Sequence, residues 1–203
     1  MKKTVFDSPF WVLFFRTFFK IGLKLAGWKL IGERPPQKCV MIGAPHTSNW
    51  DFVLMLCVAF GFRVKLFWMV KDNVYKKGYG RIADWGGGIP IDRNSAHNVV
   101  DQTVHAIKEE EEFLLVNTPE GTRSKRKKWK TGFYYIALKA QIPIQLCYVD
   151  APNKTVGLGP VITPSGNQQE DMVMIHEFYL QHRAGIHPEL FTLPLGDDFT
   201  SEK

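Results

Sequence analysis

His46 and Asp51 stand five positions apart in the stretch GAPHTSNWDFVLML, residues 43–56. On one continuous helix that separation turns the two side chains about 140° apart, too far for contact. But Pro45 precedes the histidine, and Thr47-Ser48-Asn49 are natural cap residues. With Ser48 as N-cap, Asp51 falls at N3 and reaches back toward the turn, as the acid of a capping box does. A carboxylate there can hold one imidazole nitrogen and leave the other free as a base. No serine or cysteine sits in a GxSxG elbow, so such a base would act on a hydroxyl brought by a substrate. Two readings of the pair stay open: a helix cap beside an unrelated histidine, or a catalytic base with its orienting acid.

Two further clusters carry polar residues after strand-like runs. TPEGTRSK, residues 118–125, offers Glu120, Gly121 and Arg123. Glycine lets the backbone approach a ligand closely. An arginine fork grips phosphate through two parallel hydrogen bonds. Glu120 can orient that arginine or bind a ligand hydroxyl. From Arg123 to Lys130 the chain holds six basic residues and one tryptophan. The third cluster, GGGIPIDR, residues 86–93, brings Asp92 and Arg93 to a strand end. Arg93 is a second candidate contact for phosphate or carboxylate.

The elements that must position these groups alternate. CVMIGA (39–44), VKLFWMV (64–70), GIPIDR (88–93), FLLVNT (113–118) and IPIQLCYVD (142–150) read as strands. WDFVLMLCVAFGF (50–62), residues 73–85, 95–112, 131–141 and 167–183 read as helices, and 154–164 as an outer strand pair. The Pro- and Gly-punctuated end, from residue 184 on, wraps the body or frays. The pattern predicts an α/β domain over 35–203, built on a mixed, largely parallel sheet flanked by helices. In such sheets ligands gather at the carboxyl ends of strands, near helix N-termini. All three clusters obey that rule.

Residues 1–34 form a region of their own. They carry seven Lys/Arg and two acids, which accounts for +5 of the chain's net +6. Ser8 and Pro9 suit a helix start. Phe10 to Trp28 is long enough to span a bilayer, but Arg16, Lys20 and Lys24 share one narrow sector. Each would cost roughly 2.5–3.5 kcal/mol at a bilayer centre. An amphipathic helix lying in the membrane interface fits better, with cations toward lipid phosphates and aromatics below.

Composition excludes other classes. The three cysteines, Cys39, Cys57 and Cys147, make no CxxC or zinc spacing and read as reduced core residues of a cytosolic protein. The histidines make no metal pattern. The basic run lacks the motifs of a nucleic-acid-binding module.

Taken in order, HTSNWD, GGIPIDR, PEGTRS and IPIQL resemble the four blocks of the glycerolipid acyltransferases. This is the family of 1-acyl-glycerol-3-phosphate and glycerol-3-phosphate acyltransferases, marked by an HX4D motif. The resemblance spans residues 39–150. It implies that His46 is the general base for an acceptor hydroxyl and that Asp51 orients its imidazole. The hydroxyl would attack the thioester of acyl-CoA or acyl-carrier protein directly, making those co-substrates. No metal or other cofactor is implied. Arg93, Glu120, Gly121, Thr122 and Arg123 would hold the acceptor, and Pro143 falls in the fourth block. The expected reaction is acylation of 1-acyl-sn-glycerol-3-phosphate to phosphatidic acid at the cytoplasmic face of a membrane. Its partners would be membrane lipids and the acyl donor, with no nucleic acid. Another lyso-lipid acceptor such as an amino-acid lipid, a thioesterase or lipid hydrolase, and a catalytically silent lipid binder are the alternatives.

Overall fold

The computed structural model describes residues 3–71, 74–75, 77–92 and 96–199. Its frame is a seven-stranded sheet: β1 (Lys29–Ile31), β2 (Lys38–Gly43), β3 (Leu66–Lys71), β4 (Gly88–Ile91), β5 (Phe113–Asn117), β6 (Ile144–Asp150) and β7 (Thr155–Ile162). The order across the sheet is β1-β7-β6-β2-β5-β3-β4. All neighbours run parallel except β6 and β7. The helices are α1 (Pro9–Ala26), α2 (Trp50–Phe62), α3 (Gly80–Trp85), α4 (Ala96–Lys108), α5 (Gly132–Ala140) and α6 (Gln168–Gln181).

Strand alternation sorts the core into two layers. Val40 and Ile42 of β2, Phe113 and Leu115 of β5, and Ile144 and Leu146 of β6 face one side, against Phe133, Tyr134 and Ala137 of α5 and Met172, Ile175 and Tyr179 of α6. Cys39 and Met41, Leu114 and Val116, and Cys147 and Val149 face the other, against Leu54, Val58 and Ala59 of α2. All three cysteines are buried and free.

Adjacent strands β2 and β5 thus send their chains to opposite faces, β2 into α2 and β5 toward α5. Their carboxyl ends lie side by side, with Ile42 paired to Asn117. A crevice opens where such a divergence occurs. Tyr179 braces it from below, its buried hydroxyl donating to the carbonyls of Cys147 (2.7 Å) and Ile42 (3.4 Å).

Two elements differ from the sequence reading. Of the expected helix over 73–85, residues 74–75 and 80–85 are helical, with a turn between them in which Gly78 takes φ +84°, while 73 and 76 lie outside the described residues. The expected outer strand pair at 154–164 is one strand, β7. Its second partner is β1, supplied by the N-terminal region, which therefore adds an edge to the sheet. The C-terminal segment wraps the body: Phe191 and Leu193 are buried.

α1 starts with Pro9 at its first turn and ends at Gly27, whose φ of +74° suits a residue without Cβ. It packs on α2 through Phe15 and Phe19, which meet Phe60 at 5.1 and 5.6 Å. Its other flank shows Phe10, Phe14, Phe18, Ile21 and Leu25 to solvent. Among the described residues no helix is long and apolar enough to cross a membrane.

Candidate active site

The loop after β2 bends through a cis Ala44–Pro45 peptide and delivers His46 to the crevice. α2 then opens with Asn49 as its N-cap, one residue later than the sequence suggests. Asp51 sits in the first turn, and its Oδ2 reaches back to accept the backbone N–H groups of Thr47 (2.6 Å) and Ser48 (2.7 Å). The same oxygen stands 3.5 Å from His46 Nδ1. That distance suits an ion pair and is longer than a good hydrogen bond. Asp51 is therefore both the helix-start acid and the neighbour of the histidine. Nδ1 faces the carboxylate, and Nε2 has no hydrogen-bond partner among the described residues. His46 is 25% exposed and Asp51 7%, so the imidazole lies at the mouth and the acid behind it.

Glu120 enters from the loop after β5. It is buried, and its Oε1 accepts the backbone N–H of His46 at 2.9 Å. Among the described residues no hydrogen bond joins it to Arg123. One oxygen of each acid, Asp51 Oδ1 and Glu120 Oε2, is buried without a partner. Burial raises the Glu120 carboxyl from the ordinary 4.5 to about 8, against the His46 N–H bond and with the Asp51 charge adding to the rise. Glu120 thus fixes the backbone that carries His46.

Gly121 takes φ +68°, and a Cβ there would lie 3.3 Å from Lys130 Nζ. Arg123 donates through Nη1 to Asn49 Oδ1, across to the start of α2. Thr122 follows Gly121 on the rim, half-buried. Arg93 lies outside the described residues. The structure therefore brings together His46, Asp51, Glu120, Gly121, Thr122 and Arg123. The sequence reading missed Asn49 as the partner of Arg123, and Lys130, which it counted only among the six basic residues of 123–130. Only Asn49's position beside the cap could have flagged it.

Beneath His46 runs a narrow cavity of about 70 Å³ between α2 and the sheet. Apart from His46, Asp51 and Thr118, its walls are apolar or carry a thiol: Met41, Phe52, Met55, Val116, Cys147 and Val149 among them. Burial pushes the Cys147 thiol up to about 12, which leaves almost no thiolate near neutrality. No serine hydroxyl is hydrogen-bonded to His46 among the described residues. No group of three or more metal-ligating side chains forms there either.

The back of the site loop is held from the C-terminal segment. His187 donates its N–H to Thr47 Oγ1 at 3.1 Å, and a Cβ on Gly185 would collide with Pro45 at 2.8 Å. The basic run after Arg123 is held similarly. Trp129 is buried, its indole N–H bonds the Thr192 carbonyl at 2.5 Å, and Arg126 N–H bonds Thr192 Oγ1 at 2.8 Å.

The arrangement sets an imidazole against a carboxylate, with an apolar cavity behind it, cations on the rim and, among the described residues, no serine or cysteine bonded to the imidazole. Among solved structures, the chain is similar to the 1-acyl-sn-glycerophosphate (LPA) acyltransferase PlsC from Thermotoga maritima. The two share 17% identity and a TM-score of 0.54 over 88% of this chain and 78% of that one, a likeness of fold. No curated protein matches. A model of the family described as Acyltransferase matches residues 31–150, a span that holds His46, Asp51, Glu120 and Arg123 and more than half of the chain. The chain belongs to the Acyltransferase family.

Proposed function

We infer that the protein transfers a fatty acyl group from a thioester, acyl-CoA or acyl-carrier protein, to the free hydroxyl of 1-acyl-sn-glycerol-3-phosphate. The product is phosphatidic acid. The observation that carries this reading is His46, with Asp51 at 3.5 Å behind Nδ1, at the mouth of an apolar cavity with no activated nucleophile beside it. A base so placed needs its nucleophile from the second substrate.

The acceptor O–H gives its proton to His46 Nε2 as its oxygen attacks the thioester carbonyl carbon. Asp51 stabilises the imidazolium that forms. The tetrahedral carbon then expels the thiolate, which takes the proton back from His46. A C–O bond has replaced a C–S bond, and the products are an ester and a free thiol. The cavity between α2 and the sheet, about 70 Å³, takes the first carbons of the donor's acyl chain. Arg123 and Lys130, with Arg93 as a further contact, hold the acceptor phosphate beside Gly121 and Thr122. Glu120 serves by fixing His46.

The enzyme works at the cytoplasmic face of a membrane. α1 lies in the interface, with Phe10, Phe14, Phe18, Ile21 and Leu25 outward and Arg16, Lys20 and Lys24 along one flank. The test is a mass-spectrometric assay of purified protein with acyl-CoA or acyl-carrier protein. Acceptors are lysophosphatidic acid, glycerol-3-phosphate, a lyso-ornithine lipid or none, with His46→Ala beside wild type. Phosphatidic acid from wild type alone is the expected result. Free fatty acid without acceptor makes it a hydrolase, and acylation of the ornithine lipid alone moves the acceptor to the amino-acid lipids.

A further inference from the structure

The outward apolar flank of α1 does not stop at that helix. Trp11 meets Trp85 at the end of α3 edge-on at 5.9 Å, and Phe15 meets the same ring at 6.4 Å. The next residue, Gly86, accepts the indole N–H of Trp68 at 3.1 Å. Phe52, in the first turn of α2, meets Trp68 at 6.2 Å and lines the cavity beside His46. A path of rings thus leads from α1 to the mouth of the site. Its outer side is exposed: Ile82 is 69% and Trp50 66% accessible, and Tyr79, Trp85 and Phe52 are exposed too. Lone apolar residues on a surface are ordinary, but a contiguous band of this kind marks an interaction face.

The charges beside the band choose the occupant. Lys77 and Arg81 are exposed next to Tyr79 and Ile82, with no ion pair among the described residues, and Arg16, Lys20 and Lys24 border the apolar flank of α1 on the side away from Trp85. Some other surface cations are neutralised, as in Lys139–Asp101, Arg34–Glu112 and Lys125–Asp197. A second copy docking on this face about a two-fold axis would bring like charges together. An anionic bilayer satisfies both features, headgroups against the cations and acyl region against the rings.

We propose that this band, from α1 across α3 to the first turn of α2, seats the protein on an anionic lipid surface, so that the acceptor lipid reaches His46 along Trp85, Trp68 and Phe52 without its chain crossing water. It rests on the reading of the enzyme as a lysophospholipid acyltransferase and adds α3 and the α2 start to α1 as the lipid contact.

The test compares wild type, Tyr79→Ser/Ile82→Ser, Arg81→Glu and, for α1, Phe14→Ser/Phe18→Ser. All these positions are on the surface, outside the catalytic group. Binding is read by co-sedimentation with vesicles of phosphatidylcholine containing phosphatidylglycerol. Turnover is read twice, with a long-chain acceptor in those vesicles and with a short-chain acceptor dissolved below its aggregation point. The α3 variants should lose vesicle binding and vesicle-borne turnover by at least about tenfold, with turnover of dissolved acceptor unchanged. Loss confined to the α1 variant would overturn the band, as would a wild-type dimer that the α3 variants dissociate. Absent turnover with every acceptor would fail the acyltransferase reading instead, and the vesicle binding of the α3 variants would still decide the band.

Discussion

His46 Nδ1 lies 3.5 Å from an Asp51 oxygen that already accepts two backbone N–H bonds, from Thr47 and Ser48. The carboxylate is therefore fixed by the turn before it meets the imidazole. Its position does not depend on the histidine's charge. In the proposed role of general base, His46 would be oriented in advance of the proton it takes.

His46→Ala should lower the acyl-transfer rate by at least about 10²–10⁴-fold, the usual weight of a positioned general base. The melting temperature should stay close to wild type, since the imidazole is on the rim. Thermal unfolding alongside the rate assay checks both.

Asp51→Asn and Asp51→Ala should separate the two duties of this acid. Asparagine keeps a carbonyl oxygen for the Thr47 and Ser48 N–H groups but loses the charge. It should keep most of the stability while the rate falls by about 10²-fold. Alanine removes the cap as well and should cost about 1 kcal/mol more in stability. Equal losses of rate and stability in both variants would refute the division.

Glu120→Gln should gain on wild type as pH rises. The folded-state carboxyl is raised from the ordinary 4.5 to about 8. The folded state thus holds a proton that the unfolded chain releases, and stability is lost as pH climbs through that window. Glutamine is neutral throughout and still offers an oxygen to the His46 N–H. The melting-temperature gap in favour of Glu120→Gln should widen between about pH 5 and about pH 9. A gap that ignores pH would sink the buried neutral acid.

Arg123→Ala should raise the KM for a phosphate-bearing acceptor by about 10–100-fold, the worth of a charged hydrogen-bond pair, with the donor KM little changed. Lysine should not restore it, because a point charge cannot form the fork. Unaltered acceptor kinetics would remove Arg123 from the acceptor site.

Val149→Phe should fill the cavity and shift donor preference toward shorter acyl chains, at a stability cost of about 1–3 kcal/mol. Competition between donors of different length, read by mass spectrometry, gives the answer. An unshifted preference would place the acyl chain elsewhere.

Much of the fold was legible in the chain because its signals are local. CVMIGA and FLLVNT are short apolar runs, and they are the neighbouring strands whose ends hold the site. The helix from Trp50 to Phe62 begins where cap residues sit and ends before an Arg63 of positive φ. The three-residue strand β1 was not legible. It follows a helix-like segment, and its partner Thr155 is far along the chain. The region read as a strand pair is one strand, because its antiparallel partner is the preceding β6 and its other neighbour is the distant β1.

By itself the sequence determined which residues could do chemistry and that they would stand where strands end. Residue types, cap chemistry and apolar periodicity act over a few neighbours. That is why His46 and Asp51, five apart, could be read as one turn. Only the tertiary structure decided that Glu120, 74 residues on, carries the backbone of His46, that Arg123 reaches Asn49, and that Lys130 leans over Gly121. The first two of those contacts depend on β2 and β5 lying side by side. That pairing is set by burying both faces of the sheet at once, a condition no short window of sequence can express.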